Sequence, residues 1–181
     1  MLGNTEQALE KFSKGVVKQS RSNLTRKKKN VDKDLYKSLK YDLEVNPNSF
    51  SLKFYMNEYG TYQDEGVKGA NPSLVKGGKQ KAPNSKFAFK GKRPPIKPIQ
   101  DWVKKRNIRF RDDKGRFKKG STKSLAFLIS RSIYAQGIKP SRFFSRAFEV
   151  NFKNLPQEVI EAYALDLRQF MKFTNNESTT N

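Results

Sequence analysis

Between residues 68 and 123 the chain carries nineteen Lys and Arg against three acids, so 56 of its 181 residues supply +16 of a net charge of +21. Cations at that density repel one another and hold water, so this tract is a poor interior for any fold. The more nearly balanced flanks must supply the core. The tract follows an aromatic segment, Phe54-Tyr55-Met56-Asn57-Glu58-Tyr59-Gly60-Thr61-Tyr62. The pattern predicts a compact scaffold carrying a basic excursion, and the excursion is where a polyanion would be met.

A chain of 181 residues lies only slightly above the usual size for one core, so a single domain with an extended arm is expected. Fourteen Phe and seven Tyr can build a modest core, whereas the Gly, Pro and Lys of residues 66–98 argue against burying that stretch. Cys and His are both absent. That removes disulfides, thiolate nucleophiles, the usual zinc sites, and His-based acid/base or Ser-His chemistry. Enzymes built on Asp, Glu, Lys and Tyr alone remain open. No run approaches the roughly 20 apolar residues of a membrane span, and the first ten residues lack a signal peptide's apolar stretch. No membrane is expected, and the chain should be made and used in the cytoplasm.

Leu9, Phe12, Val16 and Val17 recur at helical spacing and predict an amphipathic helix over residues 5–24, with Asn4 or Thr5 as N-cap. Arg26-Lys27-Lys28-Lys29 then reads as a solvated helix end or loop. Residues 32–39 suggest a short helical turn. Residues 40–45 and 49–54 alternate around Asn46-Pro47-Asn48 as a β-hairpin. Tyr55, Met56, Tyr59 and Tyr62 fall at spacings of three or four and predict a short helix stopped near Gly60 or Gly66. Residues 66–85 read as a flexible loop, and residues 86–90 as an edge strand whose lysines face outward.

Pro94-Pro95 and Pro98 place a helix start near Ile99, with Ile99, Trp102 and Val103 as its apolar face. Trp102, the only tryptophan, is expected to anchor that helix to the core. The clearest helix runs over residues 122–136, with Leu125, Leu128, Ile129 and Ile133 as one stripe, Ser121 or Thr122 as N-cap and Gly137 at the C-cap. A short helical turn is expected within residues 141–148. From Leu155 a last helix carries Val159, Ile160, Tyr163, Leu167, Phe170 and Met171 on one side, with Pro156 in its first turn. The polar residues 174–181 read as a disordered tail. The elements together are α+β: a small antiparallel sheet packed against an N-terminal helix and C-terminal helices, with a long basic loop at 66–98. The expected division is an N-terminal helix with its basic segment over 1–30 and one domain over 31–173.

Asp112-Asp113, Asp32 with Asp34, and Asp64 with Glu65 are the carboxylate pairs in which a nuclease-like metal site would be sought. None has a third ligand at useful spacing. No metal site, cofactor site or catalytic residue is assigned.

The order of segments resembles a known family. The strand entering Tyr55-Met56-Asn57-Glu58-Tyr59-Gly60-Thr61, the loop, the stretch from Pro94-Pro95 to Trp102, the turn Lys114-Gly115-Arg116-Phe117, and residues 129–144 with Gly137-Ile138-Lys139-Pro140 and Phe143-Phe144 are similar to tailed-phage tail-completion or neck (head-tail joining) proteins. The likeness spans roughly residues 35–150. It implies a non-enzymatic virion protein of α+β fold that assembles as a homo-oligomeric ring between the portal or connector and the tail, leaving a channel for the genome. The long basic loop and the C-terminal helix depart from the family pattern.

A ring subunit needs apolar patches buried only in the oligomer and a polar lining compatible with DNA. Candidates for the first are Tyr55, Tyr59, Tyr62, Arg142, Phe143 and Phe144. Candidates for a surface facing double-stranded DNA or an acidic partner are Lys76, Lys79, Lys81, Lys86, Lys90, Lys92 and Arg93. The competing reading is a non-specific nucleic-acid-binding protein of ribosomal or nucleoid type, which would bind as a monomer.

Overall fold

The computed structural model describes residues 2–29, 31–46, 49–75 and 77–178. Among them the chain forms α1 (Gly3–Arg26), α2 (Asp34–Ser38), β1 (Lys40–Asn46), β2 (Ser49–Tyr55), α3 (Tyr59–Glu65), β3 (Val67–Lys68), a 3-10 turn (Pro72–Leu74), α4 (Ile96–Lys105), α5 (Thr122–Gln136), β4 (Gly137–Ile138), α6 (Ser145–Phe152) and α7 (Leu155–Ser178). The fold is α+β, with two separate antiparallel pairs, β1-β2 and β3-β4. The chain divides into two compact units, the first of residues 1–30, 34–57 and 143–181, the second of residues 31–33 and 58–142. The expected boundaries differ from these: α1 belongs with the hairpin and the last two helices, and residues 31–173 are shared between the units.

Unit 1 is built on α1. Leu9, Phe12, Val16, Val17 and Leu24 fall on one side of that helix and are buried. The β1-β2 hairpin has the register Tyr41↔Phe54 and Leu43↔Leu52, and these directly opposed pairs lie against the α1 core. The turn residues Pro47 and Asn48 lie outside the described set. Val17, Leu24, Leu35, Leu39 and Phe143 form one buried cluster, and Leu9, Phe12, Val16 and Leu155 another; Phe54 and Phe144 pack against both. Edge-on rings tie them together, with Phe54 5.5 Å from Phe144 and Phe12 5.6 Å from Phe148.

Helix α7 runs antiparallel to α1, with Asp166 beside Asn4 and Thr5, and Glu158 3.5 Å from Lys11. It buries Leu155, Ala162 and Asp166. The expected stripe of Ile160, Tyr163, Leu167, Phe170 and Met171 faces water instead. The hydrogen bonds of Asp166 to Asn4 and Thr5 turn the side of Ala162 and Asp166 inward. The helix continues to Ser178, so residues 174–178 are helical where a disordered tail was expected; no Gly or Pro interrupts them. Residues 179–181 lie outside the described set.

Unit 2 has a thin apolar interior: Val67, Ala82, Val103, Ala126 and Ala135 are its buried hydrophobic residues. Helices α4 and α5 pack together, and Ser130 Oγ donates to the Pro94 carbonyl at 2.6 Å. Val103, not Trp102, is the anchor of α4; Trp102 is 40% exposed. Likewise Ala126, Ser130 and Ala135 form the buried side of α5, whereas Leu128 faces solvent and Leu125, Ile129 and Ile133 are half-buried. The predicted ends of α5 hold: Ser121 Oγ accepts from the Ser124 N–H, and Gly137 closes the helix at φ +86°. Helix α4 starts at Ile96, three residues before the expected position, because Pro98 in its first turn gives up no hydrogen bond.

Residues 66–85 are woven into unit 2 rather than loose. Gln80 holds both polar groups of Gly69, accepting from its N–H at 2.6 Å and donating to its carbonyl at 3.0 Å. The Lys81 N–H donates to the Gln136 carbonyl at 2.8 Å, and Ser85 Oγ donates to the Gly66 carbonyl at 2.8 Å. The expected edge strand at 86–90 is reduced to one parallel bridge, Lys68↔Ala88. Helix α3 begins at Tyr59; Tyr55 ends β2, so the four aromatic and Met residues do not share a helix.

Candidate functional site

Charge is divided unevenly between the units. Unit 2 carries twenty-three Lys and Arg against seven acids, and unit 1 fifteen against ten. A polyanion would therefore be met on unit 2. Lys79, Lys81, Lys86, Lys90, Lys92 and Arg93 are all exposed there; Lys76 lies outside the described residues. Lys86 pairs with Glu65 at 2.9 Å and lies 5.1 Å from the Phe87 ring centroid, and Arg93 lies 5.5 Å from that of Phe127. Because the backbone below these residues is hydrogen-bonded, the cations sit on a folded surface and not on an extended arm.

A second cationic projection follows α4. Phe110 and Lys118, with Arg111 and Phe117, pair across a tight antiparallel turn: the Lys118 N–H donates to the Phe110 carbonyl at 2.9 Å, and Arg111 bridges Phe117. Asp112 builds the turn. Its Oδ1 accepts from the N–H groups of Lys114 and Arg116 at 3.0 and 2.8 Å, and its Oδ2 pairs with Arg116 Nε at 3.0 Å. That carboxylate is committed to the turn, and no group of three or more metal-ligating side chains exists among the described residues. Residues 109–119 carry six cations, one of which, Arg116, is paired with Asp112, and Phe117 is exposed among them.

The aromatic candidates separate. Tyr55, on unit 1, and Tyr59 and Tyr62, on unit 2, are exposed and available to a partner; Tyr62 also meets the Phe87 ring edge-on at 4.5 Å. Phe143 and Phe144 are corrected to core residues. Phe143 is fully buried, with its carbonyl accepting from Asn23 Nδ2 at 3.0 Å, and Phe144 packs between the two clusters of unit 1. Arg142 is exposed, at φ +48°, and its N–H donates to the Asp64 carbonyl at 2.9 Å.

The apolar stripe expected on α7 is split between its two sides: Val159 turns inward and the rest turn outward. Ile160, Tyr163, Leu167, Phe170 and Met171 are between 46% and 64% exposed and lie within one sector of the helix. The signal was present. Val159 and Ala162 continue the inward side of Leu155, so α7 is apolar over more of its circumference than one neighbour can cover. Among the described residues no helix is long and apolar enough to cross a membrane, so the stripe is not a span. No protein-family model, no curated protein and no solved structure matches the chain.

Proposed function

We propose that this chain is a non-enzymatic structural subunit that assembles into a ring at the head-tail junction of a tailed-phage particle, between portal or connector and tail, around the path of double-stranded DNA. The resemblance in segment order over residues 35–150 is what suggests the place. The observation that carries the reading is the exposed apolar stripe of α7, in a chain whose positive charge is concentrated on the other unit. A solitary protein gains nothing from exposing Ile160, Tyr163, Leu167 and Met171, whereas a ring subunit buries such a surface against its neighbour. The basic surface of unit 2 suits a DNA channel or an acidic neighbouring ring, both of which would weaken with salt.

The test is light scattering of the purified chain, alone and with portal protein, together with electron microscopy and mass analysis of purified particles. A closed oligomer is expected, and the chain should be a component of the particle. Ile160→Lys combined with Leu167→Lys should leave a folded monomer with an unchanged helical circular dichroism spectrum. A wild-type chain that stays monomeric with its portal, or that is missing from particles, would overturn the reading.

A further inference from the structure

The projection formed by residues 109–119 combines features that a merely solvated charge run does not need. Phe117 is 64% exposed, and the guanidinium carbons of Arg111 and Arg109 lie 4.5 and 5.7 Å from its ring centroid. Arg111 is further fixed by donating from Nη1 to the Gly115 carbonyl at 2.9 Å, and Arg109 by donating from Nε to Asn107 Oδ1 at 3.0 Å. An arginine held against a ring has already lost much of its rotamer freedom, so its remaining N–H groups meet an anion at lower entropic cost than those of a free chain. Beside the ring lies a groove of about 510 Å³ whose walls include Arg109, Phe117, Lys118, Lys119, Ser121 and Thr122. Lys118 and Lys119 form no ion pair among the described residues, and the nearby Asp112 is occupied within its turn. The groove therefore combines the cations of Arg109, Lys118 and Lys119 and the hydroxyls of Ser121 and Thr122 with the apolar side chains of Ile108, Phe110 and Leu125.

We infer that the turn at 109–119 is a phosphodiester-binding site for nucleic acid, in which Phe117 is a positioning residue that presents Arg109 and Arg111 while Lys118 and Lys119 neutralise adjacent phosphates. The site includes none of the basic residues at 79–93, and it requires neither a ring nor a virion. It gives a charge-neutral substitution a role in an electrostatic interaction, which generic basicity does not.

Duplex DNA of about one or two helical turns is the suitable probe, because its bases are stacked internally and Phe117 can act only through the arginines. In fluorescence anisotropy at low salt, Phe117→Ala should weaken duplex binding about two- to fivefold for each guanidinium released, and Phe117→Tyr should restore it. Arg109→Lys with Arg111→Lys keeps the charge, loses the planar fork, and should weaken binding to a similar extent. Lys118→Ser with Lys119→Ser should lower the slope of log affinity against log salt by about 1.8. All these side chains are exposed, and an unchanged circular dichroism spectrum would confirm that each variant is folded. Wild-type affinity in Phe117→Ala, or in the double Arg→Lys variant, would overturn the inference, as would a wild-type chain that binds no duplex at low salt. A monomeric chain that nevertheless shows this pattern would retain the site while removing the ring.

Discussion

The carboxylate of Asp166 does the work that the start of α1 lacks in its own sequence. The residue before that helix is Leu2, which caps nothing; instead Asp166 Oδ1 accepts from the N–H and Nδ2 of Asn4 at 3.0 and 2.7 Å, and Oδ2 from the N–H and Oγ1 of Thr5 at 2.9 and 2.8 Å. Burial opposes the charged form of Asp166, but these four hydrogen bonds outweigh it and hold the carboxyl below the usual aspartate range. A carboxyl depressed in the folded state contributes stability above its unfolded value, and that contribution is lost as pH falls through the folded one. Asp166→Ala should therefore cost about 2 to 3 kcal/mol in urea unfolding near neutral pH, by leaving helix-end donors without their charged acceptor. Asp166→Asn should flatten the fall in stability below pH ~4 relative to wild type. Equal acid sensitivity in both chains would refute the assignment. Asn4 or Thr5 was expected as the N-cap itself; the helix instead starts at Gly3, so both lie in its first turn as donors. Their acceptor was not legible, because it lies more than a hundred and sixty residues away in sequence.

Elements were legible where their signals are local, and so was the buried side of α1, whereas the sides that α5 and α7 bury were not. The hairpin, the Ser121 cap and the Gly137 stop follow from turn and capping chemistry that acts over a few residues. The inward sides of α5 and α7 follow instead from small residues that permit close approach, so Ala126, Ala135 and Ala162 are inside while larger neighbours stay out. The same effect orders residues 66–85, where Gly and Pro suggested flexibility. A Cβ on Gly69 would lie 2.1 Å from the Ala135 carbonyl oxygen, and one on Gly137 2.1 Å from that of Val67, so these glycines are contacts between the β3-β4 pair and the end of α5. Gly69→Ala should destabilise unit 2 by about 3 kcal/mol, since backbone on both sides must shift. Gly77→Ala, at φ +64° with open space around it, should cost only about 1 kcal/mol. Thermal unfolding followed through Trp102 fluorescence, a reporter within unit 2, separates these outcomes; equal losses would show that the close approach at Gly69 is not what holds the segment.

At the scale of the whole molecule, the two units differ in what resists their unfolding. Unit 1 buries Leu9, Phe12, Leu24, Leu35, Leu39 and Phe143, each worth about 1.5 to 3 kcal/mol on transfer from water, whereas the buried apolar residues of unit 2 are two valines and three alanines. Unit 2 also holds most of the net charge, so it is destabilised by its own repulsion, and that repulsion weakens as salt shortens the screening length to about 8 Å near physiological strength. Amide hydrogen exchange should accordingly show residues 58–142 opening first at low salt, with α1 and the hairpin protected longest. Raising the salt to about 0.5 M, or adding duplex DNA, should slow exchange in unit 2 by more than in unit 1, because either one offsets the charge that the thin core cannot. A unit that behaves so would be marginal alone and firmer against a polyanion, as the proposed ring subunit requires. Exchange that is uniform across both units, or protection in unit 2 that ignores salt and DNA alike, would show that its charge is carried without consequence for its fold.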